Sequence, residues 1–383
     1  MQRSRSIRVS WVDDLEALVS RRDEWNALVA CAETRTVFQS FEWHLGWWHA
    51  FGSGSQPLVL LAEDMGVLVG VAPLVLSKRR ILGRRRRVAE FMGSRAADYC
   101  DFIVDSARPE ASLALVQWLL EHSELWDLLM LANITRDATV GVLRERCERF
   151  GLPHTVRTLC KSPSLVCTDR DVIDVALQDK RLRRARRRFQ SQGQVSFKSC
   201  ATAKDISSHL GMFFEQHIRR RSMTDAPSKF LDGRWRTFYH DLAQALGAQG
   251  QMLLMTTFLD LRPIAFDLCF LFCKRLVVYD GCFDPSHAKR SPGTLALWYL
   301  FRYVQDHDIG ELDLGRGEEA YKLRYTNYAR VNRELRIYHR WLARSFDSLL
   351  LRIIAWLESS PTASSLVRRL LWLVQDRRWG RTG

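Results

Sequence analysis

Five consecutive residues, Arg290, Ser291, Pro292, Gly293 and Thr294, stand between a β-rich run and an apolar run with helical spacing. Their types suit the binding of an anion. A small hydroxyl residue followed by proline opens a helix, because the missing N–H of proline costs nothing in a first turn. Glycine lets a ligand approach the backbone closely. The first turn leaves N–H groups unpaired, and the macrodipole puts its positive end there. Such an end cradles phosphate, and Arg290 adds a guanidinium that pairs well with it. The same residues also read as an ordinary capped helix. Proton transfer needs further groups. His217 titrates in the neutral range, and Asp284 closes the strand before the loop, so either can serve as a general base. Each has a plainer role: His217 precedes Arg219, Arg220 and Arg221 on a helix and suits a structural position, and Asp284 precedes Pro285 and can cap a turn. Asp313 can orient a partner or pair with a basic neighbour. Lys322 can bind phosphate or an acidic substrate, or stay solvated.

Other chemistries lack their residues. No Gly-x-Ser-x-Gly occurs, which disfavours Ser-His-Asp hydrolysis. No Gly-x-x-x-x-Gly-Lys-Ser/Thr and no His-Glu-x-x-His occurs, and nothing has the spacing of a zinc site, so no metal is expected.

The elements that must position these groups follow from periodicity. Residues 276–279 alternate as a strand. Leu295, Trp298, Tyr299, Leu300, Tyr303 and Val304 give the following helix an apolar face. A strand is expected at 311–314 and a short helix at 318–323. Before them come strands at 195–200, 251–258, 263–272 and 275–282 and helices at 205–221 and 234–246. The earlier part of the chain shows strands at 7–12, 58–62, 67–76, 98–104, 126–132 and 155–159. Its helices are expected at 15–31, after Ser40, at 111–121 and at 140–150. A basic knot occupies 78–87, and the highly basic stretch 172–192 reads as one helix that stops at Gly193. A last strand is expected at 331–341. The class is α/β, with a mixed sheet.

At this level of detail a family resemblance enters. Arg290-Ser291-Pro292-Gly293-Thr294 resembles the acyl-CoA pyrophosphate loop of the GNAT acyltransferases, with Arg290 and Gly293 in register and Leu295 where that pattern has a small residue. Leu312-Asp313-Leu314-Gly315-Arg316-Gly317-Glu318 with Tyr321-Lys322 resembles the GNAT branch of the cellulose-biosynthesis protein CelD, and more distantly the Fem-type aminoacyl transferases. The resemblance covers residues 38–342. With the element order repeated in the two halves, it implies a tandem (double) GNAT acyl-CoA N-acyltransferase fold, with a first GNAT-like domain at 1–171 and a second domain with the CoA loop at 195–344; the residues themselves add a basic linker helix at 172–194 and an amphipathic helical tail at 345–383. It also implies acyl-CoA as co-substrate, Tyr321 as the acid near the departing sulfur, and Arg316, Glu318 and Lys322 as substrate-binding residues. The acceptor would be an amino group of a sugar, sugar nucleotide or small metabolite, in polysaccharide (cellulose, exopolysaccharide) or envelope biosynthesis. Only the second part has such a loop; the matching place before residue 111 carries Glu110, which repels phosphate. Two alternatives remain, a Fem-type transfer from aminoacyl-tRNA and a non-catalytic accessory of a membrane polysaccharide synthase.

Composition agrees with an anionic partner. Of 383 residues, 57 are Lys or Arg and 43 Asp or Glu, a net charge of +14. That excess favours nucleotide cofactors, nucleic acid or an acidic membrane, or merely keeps the protein soluble. The nine cysteines are scattered without Cys-x-x-Cys, which fits a reducing compartment. The first eight residues lack the apolar run of a signal peptide, and no uncharged apolar run has membrane-spanning length. A cytoplasmic protein is expected. The tail sets Leu366, Val367, Leu370 and Trp372 beside Arg368, Arg369, Arg377 and Arg378, which reads as a packed helical hairpin or as a helix lying on anionic lipid.

Overall fold

The computed structural model describes residues 7–81, 84–167 and 170–339. The tail at 345–383 lies outside the described residues. The first elements are β1 (Arg8–Val12), α1 (Arg22–Cys31), α2 (Phe41–Phe51), β2 (Ser55–Asp64), β3 (Val67–Ile81), β4 (Arg84–Phe91), β5 (Ile103–Val104), α3 (Glu110–Glu121), β6 (Leu128–Ile134), α4 (Asp137–Arg149) and β7 (His154–Val166). Then come α5 (Arg170–Leu177), α6 (Lys180–Gln190), β8 (Val195–Cys200), α7 (Ala203–Arg221), α8 (Gly233–Gly247), β9 (Met252–Leu259), β10 (Arg262–Phe272), β11 (Arg275–Phe283), α9 (Pro292–Asp306), β12 (Glu311–Asp313), α10 (Ala320–Arg324) and β13 (Tyr328–Tyr338).

Most elements lie where periodicity puts them. Ser40 caps α2 by accepting from the Trp43 N–H. A 3-10 turn over Glu16–Arg21 replaces the start of the helix expected at 15–31, and three further places differ. The basic knot is a β-hairpin, with Lys78 opposite Arg87 and Arg79 opposite Arg86. The strand expected at 98–104 shrinks to Ile103–Val104, and the residues before it form an irregular buried segment. The helix expected at 172–192 is two helices, because the Asp179 carboxylate accepts from the N–H groups of Arg181 and Leu182 and so starts α6 afresh.

The sheet runs β1-β2-β3-β4-β6-β13-β7-β12-β11-β10-β9-β8, with β5 beside β3. From one edge, β1 to β4 form an antiparallel run, and β6 joins β4 in parallel. From the other edge, β8 to β11 form a second antiparallel run, and β12 joins β11 in parallel. The middle is exchanged. β13 inserts between β6 and β7, and β7 pairs with β12, so each run completes its centre with a strand from the other. Both parallel ladders are short: Val88, Ala89 and Glu90 with Leu128, Leu129 and Met130, and Arg275, Leu276 and Val277 with Glu311, Leu312 and Asp313.

Alternation along the strands feeds two cores. Phe266, Leu268 and Phe270 face the larger one, which holds α1, α2, α3, α7 and α8 against the sheet. There the buried Trp43 ring meets Phe38, Phe238, Phe270 and Tyr279 edge-on, so α2 is fastened to α8 and β10. Removing such a ring costs about 3–5 kcal/mol. Cys269 and Leu276 face the other core, filled by Leu182 of α6 and by Leu297, Leu300, Phe301 and Val304 of α9.

Candidate active site

The loop expected to bind an anion begins where β11 ends. Asp284 accepts from the Ser286 N–H (2.9 Å) and hydroxyl (2.8 Å), which starts a short 3-10 turn over Pro285–Arg290. Burial pushes the Asp284 carboxyl up, but the two Ser286 bonds and the nearby Arg219 and His287 outweigh it and hold it low. Ser291 then adopts the left-handed conformation (φ 62°, ψ 61°) and admits the chain to α9 without a side-chain cap. Pro292 contributes no N–H, and Gly293 is exposed. The nearest atom to a Cβ placed on Gly293 is Phe283 Cδ1, 3.9 Å away. Gly293 is therefore not needed for an unusual φ; what it supplies is unobstructed backbone. Lys289 and Arg290 are exposed beside it. The Arg220 guanidinium covers the Phe283 ring at 4.5 Å. Alongside α9, Arg186 of α6 covers Trp298 at 4.3 Å, and Phe189 lies 6.1 Å from the His287 ring. Cations of α6, α7 and the turn itself thus surround this end of α9.

Beyond Val277 the pairing of β11 with β12 stops, and the exposed Gly281 borders the opening. Its register partner is Asp267 on β10, and a Cβ at Gly281 would come within 2.9 Å of Asp267 Oδ1. Burial alone pushes the Asp267 carboxyl up to about 7. Its charge reaches Tyr321 on α10. The Tyr321 hydroxyl is pushed up to about 12 by the surrounding protein and by Glu319 and Asp267, although half of the side chain is exposed. Asp267 is an acid that the sequence alone did not single out. The available signal was one carboxylate within an otherwise apolar strand.

A buried network fixes the segment that leads to Tyr321. Asp313 accepts from the Gly315 N–H at 2.9 Å and from the Tyr99 hydroxyl at 2.5 Å, with Arg330 at 3.6 Å. Burial pushes Asp313 up to about 6 against the pull of Tyr99 and Arg330. Arg316 donates to Asp98 at 2.7 Å, and Asn332 donates to the Asp98 carbonyl at 2.7 Å. Lys322 is buried, donates to the Arg316 carbonyl at 2.7 Å and pairs with Glu319 at 3.0 Å. Glu318 is exposed and pairs with Lys161 at 3.1 Å. Arg316, Glu318 and Lys322, expected to bind substrate, all have partners within the chain. His217 lies on the other face of the sheet. It is buried, shares a 2.8 Å hydrogen bond between Nδ1 and the Ser228 hydroxyl, and rests edge-on to Phe230. Burial pushes its imidazole down to about 4, so it is neutral at pH 7.

The comparisons agree with this architecture. A family model described as an acetyltransferase (GNAT) domain matches residues 177–323. A crystal structure of FemX superposes with a TM-score of 0.62 at 12% identity, over 85% of this chain and 98% of that one. The L-PGS structure from Bacillus licheniformis gives 0.54 at 11% identity, over 86% and 94%. The C-terminal domain of a putative lysylphosphatidylglycerol synthetase from Agrobacterium fabrum gives 0.54 at 10% identity, over 88% and 96%. No curated protein matches the chain. The fold is a GNAT-like acyltransferase fold, a large mixed sheet with helices on both faces. Among the described residues no helix is long and apolar enough to cross a membrane.

Proposed function

We propose that the chain is an acyltransferase that draws its acyl group from acyl-CoA and places it on an amine. The carrying observation is the open start of α9: an exposed Gly293, no side-chain cap, and Arg290 with the surrounding cations. That arrangement suits the pyrophosphate of a nucleotide-linked thioester. In the reaction the amine nitrogen attacks the thioester carbon, the C–S bond breaks, and the sulfur takes a proton. Tyr321 supplies that proton and recovers one from the nitrogen, and Asp267, whose charge reaches Tyr321, helps keep its hydroxyl protonated. The donor-binding residues are Arg290, Ser291, Pro292, Gly293 and Thr294. Asp284 shapes the turn before them, and Arg316 and Lys322 hold the approach to Tyr321. The placement in polysaccharide or envelope biosynthesis rests on the resemblance to the CelD type.

Titration calorimetry of the purified chain with acetyl-CoA and with a long-chain acyl-CoA tests the donor, and thiol release with an amine panel tests the transfer. Absence of binding by any acyl-CoA would sink the reading. A second reading, transfer from aminoacyl-tRNA, is favoured by one feature. α6 buries Leu182, Ala185 and Phe189 and carries Arg181, Arg183, Arg184, Arg187 and Arg188 beside the loop. Binding of charged tRNA without binding of acyl-CoA would select it.

A further inference from the structure

On the face of β11 away from α9 there is a box built for a cation. The Lys229 ammonium lies 5.5 Å from the ring centroid of Phe230, 4.8 Å from Trp235, 5.1 Å from Tyr239 and 5.0 Å from Tyr279. Ring faces carry negative charge and attract a desolvated cation. The box has a carboxylate at its end: Asp280 pairs with Lys229 at 2.7 Å and accepts from the Tyr239 hydroxyl. Tyr279 is fixed by its own bond to the Ala96 carbonyl at 2.6 Å, and Phe230 and Tyr239 are fully buried. The walls are therefore rigid.

The occupant is held differently. Lys229 enters from the connection between α7 and α8, on a single 3-10 turn, Lys229–Leu231, that is tied down by Ser228. Its side chain keeps about a quarter of its surface exposed (26%), against 16% for Asp280. Leu231 and Met223 on the same connection are exposed.

The place of the box matters as much as its contents. Asp280 immediately precedes the exposed Gly281, beside the opening where β11 has left β12. The register passes from Val278 opposite Cys269 to Asp280 opposite Leu268, so Tyr279 is a bulge residue, and Tyr279 and Asp280 share one face. The carboxylate thus stands with Leu268 on the α7–α8 face, whereas the open start of α9 and Tyr321 belong to the other face. The rise along the strand puts Asp280 roughly 10 Å from Phe283 at the α9 end. A donor anchored at Gly293 and an amine seated at Asp280 meet across one strand.

We propose that this box is the subsite for the acceptor's amine, that the acceptor presents a primary ammonium on a slim unbranched alkyl chain, and that Lys229 fills the box as a built-in stand-in until the acceptor displaces it. This rests on the acyl-transfer reading above. Asp280 takes one proton from the bound ammonium. The freed lone pair forms the C–N bond as the C–S bond breaks. The sulfur leaves with its electron pair and takes a proton from Tyr321, and the second proton shed by nitrogen restores Tyr321. The products are an amide, a thiol and one proton held by Asp280.

The test uses the full chain, with n-butylammonium as the probe. Lys229→Ala opens the box, and Lys229→Met keeps its packing without the charge and reports folding by its melting curve. Calorimetry is expected to show n-butylammonium binding Lys229→Ala at least tenfold more tightly than the parent. With acetyl-CoA present, the KM for n-butylamine falls by a similar factor. Asp280→Asn in the Lys229→Ala background removes both gains, and acetyl-CoA binds all variants alike. If Lys229→Ala melts like Lys229→Met yet gains no affinity for the probe, Lys229 is a structural pillar and the proposal is overturned. If Lys229→Ala fails to fold while Lys229→Met folds, it is overturned as well. If the probe binds but no variant binds acyl-CoA, the donor assignment falls and the ammonium box stands.

Discussion

Among the described residues there are two openings beside a short parallel ladder, one next to β4 and one next to β11, and only the first is filled. Beside β4 the chain has filled the space itself. Met92, Ala96, Ala97, Tyr99 and Phe102 are buried there. The Asn133 amide fastens the filling to β6 by donating to the Ser94 carbonyl at 2.7 Å and the Ala97 carbonyl at 3.0 Å. The helix that follows, α3, starts with Glu110 in its first turn, paired with Arg108 at 2.9 Å. That end already holds a negative charge. Among the described residues nothing plays these parts beside β11: Gly281 and Gly293 are exposed, and α9 starts on cations. One strand order therefore yields a filled opening and an open one, and the occupant of the gap makes the difference. The filling also serves the other side, since Asp98 and Tyr99 hold Arg316 and Asp313.

The largest expected effect breaks the comparison directly. Gly293→Glu puts bulk and negative charge at the open helix start and should abolish CoA binding in calorimetry. With Phe283 Cδ1, at 3.9 Å, the nearest atom from outside its own turn among the described residues, the added Cβ meets no obstacle, and the melting temperature should stay that of the parent. Glu110→Gly on α3 should leave CoA affinity unchanged. A CoA site that survives Gly293→Glu, or one that moves with Glu110, would show that the openings had been read the wrong way round.

Asp267→Asn comes next, because it separates stability from chemistry. The folded carboxyl, raised to about 7 by burial, binds its proton more tightly than in the unfolded chain. Stability from this group is thus fully present below the unfolded value and is lost as pH rises through 7. Asn removes that loss. The variant should be more stable than the parent at pH 8, by up to about 4 kcal/mol for a shift of this size, and no more stable at pH 3. Urea denaturation at the two values reads this. Turnover should fall and lose its inflection near neutrality. A variant that is no more stable at pH 8 would mean that Asp267 has a partner in solution.

Tyr99→Phe sharpens the point that one opening's filling supports the other's site. It removes the donor to the buried Asp313 and leaves an acceptor without its shortest bond. The cost should be about 1–3 kcal/mol in denaturant unfolding. Tyr321-dependent turnover should drop while CoA affinity holds, because the strand leading to α10 loosens and the start of α9 does not. Equal turnover in the variant would separate the two halves of the network.

How much of this was legible in the sequence depends on the range of the interaction. The loop at 290–294, the Ser40 cap and the three-strand meander are local, and spacing exposes them. Asp267 shows in the sequence only as a lone carboxylate in an apolar strand, because its meaning arises from lying opposite Gly281 on the next strand. Lys229 and Asp280 are also far apart in sequence, and neither has a motif. The exchange of β7 and β13 joins strands from opposite ends of the chain, and no periodicity carries that. The order of elements along the chain could be read from pattern, but the order of strands in the sheet and what fills the gap between two of them could not.

The smallest effect tests whether the start of α9 is as open in solution as it is here. Ser at an N-cap ordinarily accepts from a first-turn N–H, and replacing it by Ala costs about 1 kcal/mol. Ser291 is left-handed and makes no such bond. Ser291→Ala should therefore change stability by less than about 0.5 kcal/mol, since no cap is lost. Ser291→Gly relieves the Cβ from a left-handed position, worth about 1–2 kcal/mol, against an added chain entropy of about 0.4–1 kcal/mol. The net gain should lie between about 0 and 1.6 kcal/mol. Both variants should bind CoA within about twofold of the parent, because the ligand is read by backbone and by Arg290. Should Ser291→Ala instead cost a full capping bond, the hydroxyl closes the helix in solution, and the second opening is no more open than the first.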